Sequence, residues 1–376
     1  MKLYVAKEPG RQETRAALLP VDAGRLVQLG AEVEVAAGIG RAINVLDQEY
    51  EKAGAHVSAD HKASLGADMV LRMGVPDPDE IPHLGEGAIH VSMLDPFNNA
   101  EVVRAMAVQK VSAISLEMIP RTTIAQKMDV LSSQANLAGY VAVILAASRQ
   151  NKILPMMMTP AGTIAPARVF VIGAGVAGLQ AIATAKRLGA RVDAFDVRPE
   201  AQEQILSLGA KPVKIDLGQT GQTKDGYAKT LTDEQLAKQR EAMARQCAQS
   251  DIVITTAKVF GKKAPVIVTT EMIEAMKPGS VIVDMAVETG GNVEGSKPDK
   301  EVQHHGVTII GRVELPRRVP VAASQMFSSN LYSFIEHFWH KDTKRFLLDR
   351  EDGIIQGCLI THAGEIVHPA IQEAIA

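Results

Sequence analysis

The sequence predicts an α/β protein of two doubly wound, parallel-sheet domains joined by two long helices. Three observations lead there. Short apolar, β-branched runs alternate with helical stretches along most of the chain, the pattern of a parallel sheet covered by helices. At 376 residues there is room for two domains of ordinary size. Two helical stretches of unusual length, 133–150 and 324–340, bracket the second α/β run. The expected division is a discontinuous first domain, 1–131 with 321–376, and a second domain, 132–320.

Composition narrows the function classes. A hydrophobic content of 46% fits a globular protein. A net charge of −3 provides no basic footprint for nucleic acid. Cys247 and Cys358 stand far apart without a histidine cluster, so no metal site is expected, and unpaired cysteines fit a reducing compartment. The start, MKLYVAKEPG, lacks the apolar core and cleavage site of a signal peptide. No apolar run is expected to cross a membrane. The longest, 169–185, is glycine-rich and followed by polar residues.

In the first domain, strands are expected at 3–6, Glu32–Ala36, 69–73, 88–94 and 111–116, with helices at 21–29 and Ala100–Val108. No glycine fingerprint follows the first strand. A polar loop, KEPGRQETR, stands there instead, at a strand's carboxyl end where α/β sheets place ligand contacts. Its Arg15 suits a carboxylate or amide, and equally a solvated loop. Next, Arg121, Gln126, Asp129 and Ser132 punctuate a segment with few breakers. The last three lie three apart and would share one helical face, which from spacing alone reads as solvent-facing. The stretch 133–150 has an apolar stripe of Leu137, Tyr140, Val141, Ile144 and Leu145. The segment 153–165, with three methionines and a Pro-Ala-Gly turn, predicts an apolar hairpin suited to a partner subunit.

The second domain opens on the most informative stretch, 169–198. A buried strand leads at once into Gly173, Gly175 and Gly178, in G-x-G-x-x-G spacing, then a helix over 179–188 and a strand over Arg191–Phe195. Gly173 allows the tight turn, Gly175 lets a pyrophosphate approach the backbone, and Gly178 lets the helix pack against the sheet. The helix start offers N–H groups and a favourable dipole to an anion. Asp196, 18 residues past Gly178, suits the ribose hydroxyls of NAD and repels a 2′-phosphate. Arg198 keeps a phosphate contact open. This is a Rossmann-like dinucleotide unit. Beyond it, a strand is expected at 211–215. A polar, glycine-rich loop at 216–232 carries Tyr227, which either closes over a nucleotide or is merely exposed. A helix at 233–248 and strands at 252–254, 281–283 and 307–310 follow, with turns 255–257 and 286–291 facing the cofactor. The tail is expected to return to the first domain, with a strand at 354–360.

These motifs resemble one family along essentially the whole chain. Glu13-Thr14-Arg15, the nucleotide unit through Asp196-Val197-Arg198-Pro199-Glu200, Asp225-Gly226-Tyr227-Ala228-Lys229, and Asp284 with Gly290-Gly291-Asn292 all match. The most specific stretch runs from Pro120-Arg121 through Gln126, Asp129 and Ser132 to Gly139-Tyr140. The chain is similar to the soluble NAD(H)-binding alpha subunits of proton-translocating NAD(P) transhydrogenases and, more distantly, to alanine dehydrogenases. The resemblance implies that Arg121, Gln126, Asp129 and Ser132 surround the nicotinamide, which reverses the solvent-facing reading. It implies Asp196 and Arg198 on the adenosine side, Tyr227 on a mobile loop, and further NAD contacts at Val176, Val197, Gly226, Gln239 and Lys258. It implies an acceptor, NADP(H), on a separate beta subunit, a membrane-embedded proton-moving subunit, a homodimer touching through the 153–165 hairpin, and a cytoplasmic position at the inner membrane face.

Departures separate the two relatives. Alanine dehydrogenases carry a substrate lysine where this chain aligns Gly74, and a catalytic histidine where it aligns Met93. His90 is out of register. Without those groups a keto acid lacks its acid/base. Ile124 stands where transhydrogenase relatives often carry a second arginine. An alanine-dehydrogenase-like enzyme and a non-catalytic NAD(H)-binding module remain the alternative expectations.

Overall fold

The computed structural model describes all residues except 10, 11, 216–231, 259, 260, 262 and 376. The chain divides into two compact units: Met1–Gln134 with Arg317–Ala376, and Ala135–Pro316. In chain order the first unit begins with β1 (Lys2–Val5), β2 (Glu32–Ala36), β3 (His56–Ser58), β4 (Met69–Leu71), β5 (Ile89–Ser92) and β6 (Ser112–Ser115). The second holds a two-stranded hairpin, β7 (Met157–Thr159) and β8 (Gly162–Ile164). After it come β9 (Arg168–Ile172), β10 (Arg191–Phe195), β11 (Lys211–Pro212), β12 (Ile252–Thr255), β13 (Val281–Asp284), β14 (Lys300–His304) and β15 (Val307–Gly311). The chain then returns to unit 1 with a short ribbon, β16 (Trp339–His340) and β17 (Arg345–Phe346), and with β18 (Leu359–His362) and β19 (Glu365–Ile366).

Unit 1 contains a sheet of order β19-β18-β6-β5-β4-β1-β2-β3, and unit 2 one of order β11-β10-β9-β12-β13-β15-β14. Both are parallel except at one edge: β18 and β19 in unit 1, β14 in unit 2. In unit 2 the order reverses beside β9, which pairs with both β10 and β12. That puts a crevice at the carboxyl ends of β9 and β12, where open α/β sheets hold ligands.

The cores follow from the strand pattern. Val169, Phe170, Val171 and Ile172 are all buried, as expected of a central parallel strand covered on both faces. In unit 1, alternation splits the sheet into two faces. Leu3, Val5, Met69, Leu71, Val91 and Ile114 pack with Phe327, Leu331 and Phe334 of the helix Pro320–His337. Tyr4, Val70 and Ala113 pack on the other face with Val103 and Met106 of the helix Ala100–Val108. Each large side chain buried in this way stabilises its unit by about 1.5–3 kcal/mol.

The two-domain α/β expectation holds, with four corrections. Of the two long helices, only Val130–Arg149 spans the division, because Pro320–His337 lies wholly in unit 1. The expected strand at 354–360 is a helix, Gly353–Cys358, followed by β18. The Asp352 carboxylate accepts from Ile354 N at 2.7 Å and so starts a helical turn that overrides the β-branched pair. The helix after the glycine turn starts at Val176, three residues earlier than its apolar spacing suggests. Finally, Val130–Arg149 is long and apolar enough to cross a membrane, contrary to the sequence expectation. Half of its most apolar window is buried within the protein, as in a core helix.

Candidate functional site

The turn after β9 has the geometry its glycines require. Gly173 has φ +95°, and a Cβ there would stand 2.5 Å from Thr256 Oγ1. A Cβ on Gly178 would lie 1.9 Å from the Gly173 carbonyl oxygen, so only glycine lets the helix start this close. Gly175 differs, since a Cβ there would meet nothing within 4 Å. The backbone at Gly175 therefore borders open space, and Val176 heads a 12-residue helix whose first turn has no side-chain cap. Uncapped N–H groups beside open space suit a pyrophosphate. Thr256, at the end of β12, closes the turn by donating to the Ile172 and Gly173 carbonyls at 3.2 and 3.1 Å.

Asp196 sits just past β10 and is tied on both oxygens. It accepts from Ala174 N at 2.7 Å and from Arg198 N, Nε and Nη2 at 2.9 Å each. Burial alone would raise its carboxyl, but Arg198 and the two amides outweigh it and hold the group below the ordinary range. The acid thus links the glycine turn to the loop of Val197 and Arg198, both half-buried. Lys258 pairs with Glu288 at 3.1 Å. Its loop is pinned by buried Asn292, which donates to the Ala257 and Pro265 carbonyls at 2.9 and 2.8 Å and accepts from Ala257 N at 3.1 Å. Asn292 is fixed in turn by the Asp284 carboxylate, which accepts from its backbone N–H. Gln239 is half-buried on the helix Asp233–Gln249. Gly226 and Tyr227 lie outside the described residues.

In unit 1, Ile124–Met128 forms a 3-10 turn and Asp129 ends it in extended geometry. Asp129 then caps the long helix: its carboxylate accepts from Ser132 N at 2.8 Å and Ser132 Oγ at 2.6 Å. So Asp129 and Ser132 act as one group, while Arg121 and Gln126 are exposed before the helix starts. The equal spacing does not correspond to one helical face, because the backbone changes type at Asp129. The next turn is fixed to the helix Pro320–His337, through Ser133 Oγ to Asn330 Oδ1 at 2.7 Å and Gln134 Nε2 to Ala323 O at 3.1 Å.

The carboxyl edge of the unit 1 sheet holds acids that no motif in the sequence singles out. Glu8 accepts from Met73 N at 2.6 Å and Gly74 N at 3.2 Å. Burial raises its carboxyl. Arg15 is buried rather than solvated. It donates to both Glu13 oxygens at 2.8 Å and to Gln134 Oε1 at 3.0 Å. Glu13 also accepts from Arg317 Nε at 2.9 Å. The only sequence signal for this cluster was the Glu13-Thr14-Arg15 run itself. Met93 is half-buried against the core. No group of His, Cys, Asp and Glu suited to a metal occurs among the described residues.

Family models cover nearly all of the chain: the alanine dehydrogenase/PNT N-terminal domain matches residues 4–138, and the C-terminal domain of the same family matches 142–369. The chain belongs to the alanine dehydrogenase/PNT family. Within it, the first of the separately encoded pieces of the NAD(P) transhydrogenase alpha subunit of Rhodospirillum rubrum is 45% identical over 99% of both chains. A transhydrogenase structure from Sinorhizobium meliloti superposes with a TM-score of 0.85 at 42% identity, covering 98% of this chain and 100% of that one. An L-alanine dehydrogenase superposes almost as well, with a TM-score of 0.84 over all of both chains, but at 25% identity. Both branches of the alanine dehydrogenase/PNT family thus share this fold, and identity favours the transhydrogenase branch.

Proposed function

We propose that this chain is the NAD(H)-binding subunit of a proton-translocating transhydrogenase, passing hydride between NADH and NADP+ held on a partner subunit. The observation that carries this reading is the contrast between a well-formed nucleotide turn and a substrate edge without its chemistry. The open backbone at Gly175 and the uncapped helix start at Val176 suit a dinucleotide. By contrast, Gly74 and Met93 stand where an amino-acid dehydrogenase needs a lysine and an acid/base. The one buried arginine of that loop, Arg15, is already paired with the chain's own Glu13.

The residues present fit NAD(H), which when bound supplies the transferable hydride. On unit 2, the N–H groups after Gly175 would hold the pyrophosphate, and Asp196, oriented by Arg198, would accept from the ribose. Gly226, Tyr227, Gln239 and Lys258 are assigned to further contacts. On unit 1, Gln126 and the Asp129–Ser132 pair would orient the nicotinamide ring, with Arg121 on its amide. No protein acid or base is required. Hydride transfer needs rings held close and aligned, which is positioning work.

The acceptor on a beta subunit, coupling to proton movement through a membrane-embedded subunit, and a place at the inner membrane face belong to the same reading. So does a homodimer. The hairpin of β7 and β8 leaves Met156, Met157, Met158 and Ile164 exposed, an apolar surface suited to a second copy.

The test is NADH oxidation by the purified chain, with NADH binding confirmed calorimetrically in the same sample. Binding without turnover on pyruvate and ammonium, followed by turnover once an NADP-binding subunit is added, is the expected result. Steady turnover on pyruvate and ammonium would make the chain an alanine dehydrogenase. Binding that never leads to transfer, even with the partner present, would make it a sensing module.

A further inference from the structure

One face of the unit 1 sheet holds polar groups that nucleotide binding does not use. Tyr4, Val70 and Ala113 point to this face, opposite Leu3, Leu71, Val91 and Ile114. Register sets Val70 beside His90 and Ser92 beside Ser115. Arg72 follows β4, with its amide bonded to Val91 O at 3.1 Å, so its side chain emerges next to Ser92. Arg72, His90, Ser92 and Ser115 are all 0% exposed.

A chain of hydrogen bonds reaches this cluster from a partly exposed histidine. The Tyr4 hydroxyl meets His61 Nδ1 at 2.8 Å, and His61 Nε2 meets Glu80 Oε1 at 2.7 Å. Arg72 Nη1 donates to Glu80 Oε2 at 2.6 Å. There the protein's own partners end. Arg72 Nε and Nη2, both His90 ring nitrogens and Ser92 Oγ have no hydrogen-bond partner among the described residues.

Native proteins rarely leave even one such atom dry, because each forfeits the hydrogen bonds it made to water when unfolded. Five together would cost on the order of a domain's whole net stability. The chemistry of the group states what completes it. Glu80 answers the charge of Arg72. Burial first, and then Arg72, hold the His90 ring well below its ordinary range, so it is neutral, with one donor and one acceptor. A neutral cluster of mixed donors and acceptors suits a small molecule that both donates and accepts.

We infer that Arg72, His90, Ser92 and Ser115 line an internal hydration site, where ordered water extends the Tyr4–His61–Glu80–Arg72 chain across the sheet. Water held there ties together the carboxyl ends of β4, β5 and β6. The loops bearing Gly74, Asp95 and Glu117 leave from those ends, so the site keeps the functional edge of unit 1 in register.

The test is a crystal structure of the whole chain at a resolution that shows water, with a matched crystal soaked in bromide. About two water peaks are expected, given about three hydrogen bonds per buried water. Each should lie within hydrogen-bond reach of at least two of Arg72, His90 and Ser92, with no anomalous bromide signal. A bromide peak would make this an anion site and overturn the inference, as would density showing the side chains satisfied by one another. In solution, magnetic relaxation dispersion counts long-lived internal waters, and folded Ser92→Ala or His90→Leu should lose at least one. An unchanged count in both would also overturn it.

Discussion

Arg198 grips Asp196 with Nε on one oxygen and Nη2 on the other, each at 2.9 Å, so the acid at the end of β10 is half of a largely buried ion pair. The pair faces the glycine turn through the bond from Ala174 N. Asp196→Asn removes the charge, leaves Arg198 without its partner and weakens the ribose contact. NADH affinity should fall by about tenfold, or about 1.4 kcal/mol, in a calorimetric titration. Unchanged affinity would sink the ribose assignment.

Gly178→Ala puts a methyl group where the Gly173 carbonyl already is. Overpacking of this kind costs about 1–3 kcal/mol. Both the melting temperature and NADH affinity should drop, since the helix start and the turn move together. A Gly175→Ala variant meets no protein atom, so its fold should stay intact while NADH binding falls. If Gly175→Ala binds normally, the pyrophosphate does not lie against that backbone.

Asp129 has two separable tasks, capping the helix Val130–Arg149 and orienting Ser132. Asp129→Ala should cost about 1 kcal/mol in urea unfolding, the usual loss of an N-cap. Asp129→Asn keeps an acceptor, so it should retain most of that stability. If the pair also serves the nicotinamide, Asp129→Asn should still slow transfer to the NADP-bearing partner. Normal transfer rates would leave it a cap alone.

Gln126 is exposed and makes no contribution to the unit 1 core, so its replacement should leave the fold undisturbed. Gln126→Asn shortens the reach of its amide by one methylene. Hydride transfer should slow far more than NADH binding weakens. Equal losses in both would remove its orienting role.

Glu117 provides a pH signature. Its carboxyl is buried beside the strand ends, and burial pushes it up to about 7 against the opposing hydrogen bond from the Asp95 amide. In the unfolded chain a glutamate titrates near ~4.3. The folded state therefore binds this proton more tightly. The stability it contributes is full below pH ~4 and is lost as pH rises toward 7, a difference of roughly 3 kcal/mol. Glu117→Gln removes that slope. Its urea midpoint should gain on the wild type between pH 5 and pH 8, and a constant gap would show that Glu117 titrates normally.

Much of this molecule was legible in the chain. The alternation of apolar runs and helical stretches implied parallel sheets, because a strand buried on both faces must be apolar throughout, as 169–172 is. Gly173 and Gly178 were legible because the turn tolerates nothing larger. The Met-rich hairpin was legible from its Pro-Ala-Gly turn. The helix Gly353–Cys358 was misread because Ile354 and Ile355 favour a strand locally, whereas the Asp352 cap, two residues earlier, decides for a turn.

Residue types and spacing by themselves determined the two α/β units, the dinucleotide turn and the absence of a lysine and histidine at Gly74 and Met93. Those features are local, set by which residues follow one another. Tertiary structure alone decided what the polar groups do. It buried Arg15 against Glu13 and Gln134, tied Asp196 to Arg198 and Ala174, and made Asp129 a helix cap rather than one stripe of a polar face. It also gathered Arg72, His90 and Ser92 on one face of a sheet from two separate strands. A charged or polar side chain takes its character from its partners and from how much water reaches it, and both are fixed by residues distant in sequence.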